Sequence, residues 1–211
     1  HFGKFVSAYI TGHYYFDIHP PLSKMLIAIV AWWTGYDGSQ RFDKIGEPVD
    51  NHIFALRSLP AVTGALLVPL TFAIVRQMGG SRPAAHLPAG IVLLDGAALV
   101  ESRLLVTDAL LFLFELAQVY GMVLVSQAEL QSPAFHRRLA LTGAAIGCAV
   151  STKWTALATM AVVGLETIRA LLSEGAGAVG ELRARRASCA AALRPVLRSF
   201  AARFVWLLVL P

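Results

Sequence analysis

Between Phe16 and Lys24 the chain places a carboxylate at Asp17, an imidazole at His19, a rigid Pro20-Pro21 pair and an ammonium at Lys24, just ahead of an apolar run. Charge beside a membrane segment is costly unless something uses it, so this stretch is either a site or a polar turn. As a turn, Asp17 caps the helix that follows. As a site, the carboxylate and imidazole meet a polar substrate at the membrane surface. Pro20 then biases His19 away from helical geometry, which fixes its direction. Local sequence leaves both readings open.

Further charged positions could carry chemistry. Arg57 lies near the start of an apolar span, where it either snorkels to the interface or holds an anion. Arg103 stands between Glu101 and Asp108 and is expected to pair with one of them, Asp108 falling about one turn inside the span. Lys153 is the one basic residue between Arg138 and Arg169, and a lysine at a span junction suits a phosphate as a point charge. Glu115 and Glu166 read as hydrogen-bond partners between helices. His13, His52, His86 and His136 lack metal-ligand spacing, and there is no HExxH, P-loop or GxGxxG, which argues against a zinc or nucleotide-phosphate enzyme.

The elements that must position these residues are membrane helices. The 211 residues are 56% hydrophobic and 15% charged, with a mean hydropathy of +0.62, where a soluble domain carries about a quarter charged residues. The expectation is an all-α integral membrane protein: a loop of residues 1–51 holding two interfacial helices, then a bundle over residues 52–211. Spans of about 20 apolar residues are expected near 52–77, 83–100, 104–125, 139–151 and 154–172, the last two meeting at Lys153, with an incomplete one over 200–211. Met25 to Trp33 is too short to cross and follows two prolines suited to a helix's first turn. It is expected to lie in the interface with Trp32, Trp33 and Tyr36 at headgroup depth. Residues 1–15 are expected to supply the other interfacial helix, 37–51 a polar loop, and about 170–199 an Ala/Arg-rich loop.

Charge sets the orientation. Arg76, Arg82, Arg137, Arg138, Arg169, Arg183, Arg185, Arg186, Arg194, Arg198 and Arg203 fall on one side. Lys4, Lys24, Arg41, Lys44, Arg57, Arg103 and Lys153 fall on the other, mixed with Asp17, Asp37, Asp43, Glu47, Asp50 and Glu101. The positive-inside rule makes the first side cytoplasmic. All four lysines then face away from the cytoplasm, a bias that suits an anionic ligand. Because the arginines follow topology, the net charge of +5 is no nucleic-acid signal. Cys148 and Cys189 imply neither a disulfide framework nor a metal site. The abrupt ends at His1 and Pro211 read as those of an internal fragment.

His1-Phe2-Gly3-Lys4-Phe5, the run Tyr15 to Ala28 and Gly35-Tyr36-Asp37-Gly38 together resemble the protein O-mannosyltransferases. So do Leu56-Arg57-Ser58-Leu59-Pro60 with Gly64 to Pro69, Ser102-Arg103 with Asp108 to Phe112, and Ser151-Thr152-Lys153-Trp154. The resemblance runs from residue 1 to about 170. It implies a GT-C-type multi-span helical bundle with two interfacial helices in the first non-cytoplasmic loop. The implied reaction is inverting transfer of mannose from dolichyl or polyprenyl phosphate mannose to Ser or Thr hydroxyls of a polypeptide. No cofactor is implied beyond that lipid-linked donor. The implied partners are the donor, the acceptor polypeptide, the membrane and a related subunit as dimer partner, with no nucleic acid. The implied location is the endoplasmic reticulum or bacterial plasma membrane, with the active side non-cytoplasmic.

By the same resemblance, Lys153 with Arg57 or Arg103 holds the donor phosphate, and Asp17 and His19 shape the pocket. Pro20, Pro21, Lys24 and Asp108 then take structural roles. The family's catalytic Asp-Glu pair directly precedes its His-Phe-Gly triplet, so the full-length protein is expected to supply it ahead of His1, leaving this stretch inactive alone. The alternatives are a lipid-phosphate-sugar glycosyltransferase with another acceptor, and a non-catalytic subunit lacking the acid pair. A transporter would need broken helices in matching halves, and the chain shows no internal repeat.

Overall fold

The computed structural model describes residues 2–40, 42, 52–184 and 188–210. His1, Arg41, Asp43, Lys44, Glu47, Asp50, Arg185 and Arg186, with most of the expected polar loop, lie outside the described residues. Every regular element described is helical: α1 (Phe2–Thr11), α2 (Leu22–Trp33), α3 (Ile53–Gln77), α4 (Arg82–Leu94), α5 (Gly96–Arg103), α6 (Asp108–Ser126), α7 (Pro133–Val150), α8 (Leu157–Arg183) and α9 (Cys189–Phe204). A 3-10 turn, Trp154–Ala156, leads into α8, and a π-helical turn, Val205–Val209, follows α9.

Three of these segments are long and apolar enough to cross a membrane: α3, α6 and the continuous stretch Trp154–Arg183. The 25 residues of α3 reach about 38 Å, beyond the roughly 30 Å hydrocarbon core. Pro60 and Pro69 sit inside this helix, as membrane helices tolerate when neighbouring groups take up the freed carbonyls. Just beyond Pro60, the Thr63 hydroxyl is shared between the carbonyls of Leu59 and Pro60, at 3.0 Å from each.

The stretch expected as one span over 83–100 is instead two helices, α4 and α5, bent by 55°. Asp95 causes the break. Its backbone is extended, and its carboxylate accepts the Ala98 N–H at 2.7 Å, capping α5. A short acidic side chain competes with the helix for backbone donors, so it ends one helix and starts the next. The expected loop over 170–199 is also largely helix. α8 runs on to Arg183, and α9 begins at Cys189 with Ser188 as its cap. Ala, Leu, Arg and Glu are strong helix formers whatever their polarity, so polarity was a poor guide to a loop there.

α6 and α7 approach closely because they meet through small residues. A β-carbon on Gly121 of α6 would collide with the Thr142 side chain of α7, and, where α7 meets the π-helical turn, one on Gly143 would collide with the Trp206 carbonyl. Close backbone approach of this kind is the usual route to helix association in lipid. Around it, Met122, Val125, Phe135, Leu139, Ile146 and Leu207 form one core. A second core, from Val6, Ile27, Ala31, Tyr36, Leu56 and Leu110, joins α1 and α2 to the first turns of α3 and α6.

Two expectations about α2 need correction. Trp32 and Trp33 are exposed, but Tyr36 is only 2% exposed and shares a hydrogen bond with Ser7 at 2.6 Å. Its phenol found a buried partner on α1, so its ring belongs to the core rather than to the headgroup layer. Asp17 does not cap α2, since Pro21 holds the N-cap position with no side-chain bond to the helix. The Asp17 carboxylate instead pairs with Lys24, and both side chains are buried, 7% and 1% exposed.

That pair fastens the loop between α1 and α2. Lys24 Nζ also donates to the His19 carbonyl at 2.9 Å and lies 5.0 Å from the centre of the Phe5 ring. Burial alone would push the Asp17 carboxyl up, but the bond from Lys24 and the His19 amide outweigh it and hold the group below the usual carboxylate range. Lys24→Met would strand a buried carboxylate and is expected to cost about 3 kcal/mol. The reading is a lowered thermal midpoint of the detergent-solubilised full-length protein, with Asp17→Asn in the same chain recovering much of the loss. Because the folded pKa lies below the unfolded one, the pair's contribution is complete at neutral pH. It fades only as the pH falls below about 4.

Candidate active site

The first turn of α2 is the point where the site is assembled. Pro20 and Pro21 carry no N–H, so Leu22 supplies the first free amide of the turn. It donates to the Ser151 carbonyl, beyond the end of α7, at 3.0 Å. The next residue, Ser23, meets Thr152 hydroxyl to hydroxyl at 2.8 Å, both side chains fully buried. The third, Lys24, holds Asp17 and the His19 carbonyl. Three consecutive residues thus tie α2 to two segments on either side of it.

The segment on one side leads into Lys153. Thr152 and Lys153 both donate their amides to the Ala149 carbonyl, at 3.0 and 3.1 Å, which closes the turn after α7. Lys153 itself is extended, with φ −158° and ψ 138°. Its ammonium reaches Asp108 at the start of α6, 2.7 Å away. The two side chains are 24% and 20% exposed, so this pair is open to solvent while the Lys24 pair is shut. Glu101 on α5 is close enough for its charge to couple to both Asp108 and Lys153. The expected pairing of Arg103 with Glu101 or Asp108 is not what the structure contains. Asp108 turns to Lys153 from the next helix, and Arg103 is exposed without an ion pair among the described residues. Arg57, on the second turn of α3, is likewise exposed and unpaired among them.

The segment on the other side forms a pocket of about 530 Å³ against the end of α1. Tyr9, Tyr14, Tyr15, Asp17, His19 and Pro21 are among its lining residues. Tyr15 stacks on Phe5 at 4.5 Å and meets Tyr9 edge-on at 5.4 Å. Burial, followed by the neighbouring Tyr9, pushes the Tyr15 phenol up, so it is neutral at physiological pH. The wall is aromatic with a few polar groups, a surface that suits a sugar or a peptide. His19 also lines the pocket, and its carbonyl is taken by Lys24. Asp17 is engaged by Lys24, so within this pocket its carboxylate is an anchor.

Arg57, Arg103, Asp108, Lys153 and the α2 turn all fall at one end of the bundle, because α3 and α6 begin there and α5 and α7 finish there. The opposite end carries Arg76, Arg82, Arg137 and Arg138, and is closed by Gln127, which donates to the Gln77 carbonyl at 2.6 Å. Two charged residues behave differently from expectation. Glu166 pairs with Arg169 on its own helix, one turn away, instead of bridging helices. Arg203, counted with the topology-setting arginines, is buried against Glu174 of α8 at 2.8 Å and lies 5.3 Å from the Phe135 ring. Glu115 does face another helix, lining a cavity of about 480 Å³ with Thr159 and Glu101. Sequence reasoning gave no role to Ser23 or Thr152. Their signal was two hydroxyls in otherwise charged or apolar motifs, and nothing local says that they meet.

Comparisons with known proteins agree with this architecture. The family model described as dolichyl-phosphate-mannose-protein mannosyltransferase matches residues 1–211. Among curated relatives, mannosyltransferase 4 of Candida albicans is 37% identical over 176 residues, covering 81% of this chain and 23% of the relative. Protein O-mannosyl-transferase 2 of Drosophila melanogaster is 36% identical over 172 residues, covering 79% and 22%. A chain of the Saccharomyces cerevisiae Pmt1-Pmt2 complex bound to the sugar donor superposes with a TM-score of 0.89 at 32% identity, over 100% of this chain and 28% of that one. The chain therefore spans about a quarter of the length of these proteins. The helical bundle is a GT-C fold, and the chain belongs to the dolichyl-phosphate-mannose-protein mannosyltransferase family.

Proposed function

We propose that the protein of which this chain is part transfers mannose from dolichyl or polyprenyl phosphate mannose to Ser or Thr hydroxyls of polypeptides, with inversion. The observation that carries the reading is the open Lys153–Asp108 pair beside the aromatic pocket, both hung from the first turn of α2. Bond cleavage at the anomeric carbon leaves negative charge on the phosphate, and a fixed cation there lowers the barrier. Lys153 has three donors and the Asp108 bond occupies one. Asp108 keeps the ammonium oriented, and the remaining donors face the lipid phosphate. Arg57 or Arg103 supplies the second positive charge from the same end of the bundle.

The acceptor hydroxyl needs a carboxylate to take its proton as the oxocarbenium-like centre develops. Asp17 is committed to Lys24, so the base in this reading is the family's Asp-Glu pair ahead of His1, presented by α1. Asp17 and His19 shape the pocket, and apolar helix faces receive the isoprenoid tail. No cofactor takes part, the sugar arriving already activated by its phosphate. The arginine-rich end is cytoplasmic, which puts the site on the lumenal face of the endoplasmic reticulum or the exterior of a bacterial plasma membrane. A related subunit is the expected partner, since the Saccharomyces relative is a two-protein complex.

The test is transfer of radiolabelled mannose from dolichyl phosphate mannose to a Ser/Thr-rich peptide by the full-length protein in membranes. Lys153→Ala is expected to lower transfer about 100-fold; near-normal rates would remove Lys153 from the phosphate site. Of Arg57→Ala and Arg103→Ala, one is expected to raise the donor KM about tenfold and the other to leave it nearly unchanged. Measuring both assigns the second cation.

A further inference from the structure

We infer that the buried Ser23–Thr152 hydroxyl pair is a positioning link that sets where Lys153 stands relative to the aromatic pocket. The inference rests on the mannosyl-transfer reading for its kinetic consequences, though not for its geometry. Thr152 Oγ1 lies 2.9 Å from the Cys148 carbonyl and donates to it. Its single hydrogen is spent there, so Ser23 must be the donor in the 2.8 Å contact between the hydroxyls. The bond therefore has a fixed direction, from α2 to the turn after α7. Both side chains are excluded from water, at 0% and 1% exposure, so no solvent competes for either oxygen.

The consequence lies in what each residue is attached to. Thr152 precedes Lys153, whose amide is already fixed to the Ala149 carbonyl at 3.1 Å. Ser23 precedes Lys24, which fixes Asp17 and the His19 carbonyl on the pocket wall. The Leu22 amide adds a parallel bond to Ser151 at 3.0 Å. Pocket wall and phosphate-facing lysine come from segments more than a hundred residues apart in sequence, yet each is one residue from this hydroxyl contact. A reacting sugar bridges the two, so a shift of α2 against the turn would misplace one against the other. Misplacement on the scale of 1 Å is enough to lower a rate by one or two orders of magnitude.

The test uses full-length protein in membranes, with donor kinetics expressed per folded molecule from thermal unfolding. Ser23→Ala and Thr152→Val should each lower kcat/KM for dolichyl phosphate mannose about tenfold with the folded fraction unchanged. Thr152→Ser, which keeps the hydroxyl, should restore near-normal values. The double variant should be no worse than either single one, because a single bond is lost. In a Lys153→Ala background Ser23→Ala should add nothing, since the group it positions is gone. Should Thr152→Val not fold, Ser23→Ala, which removes one oxygen, carries the test. Unaltered kinetics in Ser23→Ala, or a loss that persists in full without Lys153, would overturn the link. Amide hydrogen exchange over residues 149–156 separates this from the functional reading. A wild-type protein without mannosyl transfer sinks that reading alone, while exchange unchanged by Ser23→Ala sinks the link whatever the chemistry.

Discussion

A lysine ammonium stripped of water must find anionic and carbonyl oxygens or lose its charge, and much of this structure follows from how Lys24 meets that demand. It sits in the first turn of a helix whose one other polar residue is Ser23, 1% exposed, under the rings of Phe5 and Tyr15. The oxygens come from the loop between α1 and α2, from Asp17 and from the His19 backbone. Pulling them inward folds the loop over α1 and leaves the aromatic pocket between loop and helix. Pro20 and Pro21 contribute by removing two amides that would otherwise need partners at that crowded point. The neighbouring Leu22 and Ser23 can then turn outward to the end of α7.

The contrast with Lys153 shows how the same residue type serves two ends. Both lysines face an aspartate, but Lys24 is enclosed and a second of its donors is met by a carbonyl, whereas Lys153 and Asp108 each keep about a fifth of their side-chain surface in solvent. An enclosed pair resists disruption because either charge left alone is buried without compensation. An open pair holds together weakly, since solvent screens it, and its cation can turn to a phosphate without stranding its partner. Burial therefore separates the anchor from the cation proposed to meet the phosphate, where charge and sequence spacing do not.

What the sequence made legible divides along the same line. Hydropathy located α3, α6 and α8 because lipid solubility is a property of each residue alone, and the charge bias found the two ends of the bundle for the same reason. The motif around Lys24 and the motif around Lys153 were also recognisable. What escaped depends on which partners the fold brings together. Tyr36 could be read as a headgroup aromatic until Ser7 was seen to meet it. Asp17 could be read as a helix cap until Lys24 was seen to be buried. Asp108 pairs with a residue 45 positions away, not with its neighbour Arg103. Two departures have local causes: Asp95, a capping residue inside an apolar run, and the helix-forming Ala, Leu, Arg and Glu between 170 and 199.

The seam between α2 and the turn after α7 is joined by neutral groups, and that choice has a physical reason. An ion pair there would set another charge near Lys153 and Asp108, where it would compete with an incoming phosphate or repel it. Two hydroxyls and an amide–carbonyl bond carry no net charge. Each contributes only about 1 kcal/mol to stability, so they add little to the holding of the fold. What they fix is register, because a buried hydroxyl bond with a fixed donor leaves few alternative arrangements that keep both oxygens satisfied. On the proposed reading the tasks are separate: a buried charge fixes the loop, a solvent-open charge meets the phosphate, and neutral hydrogen bonds hold the distance between them.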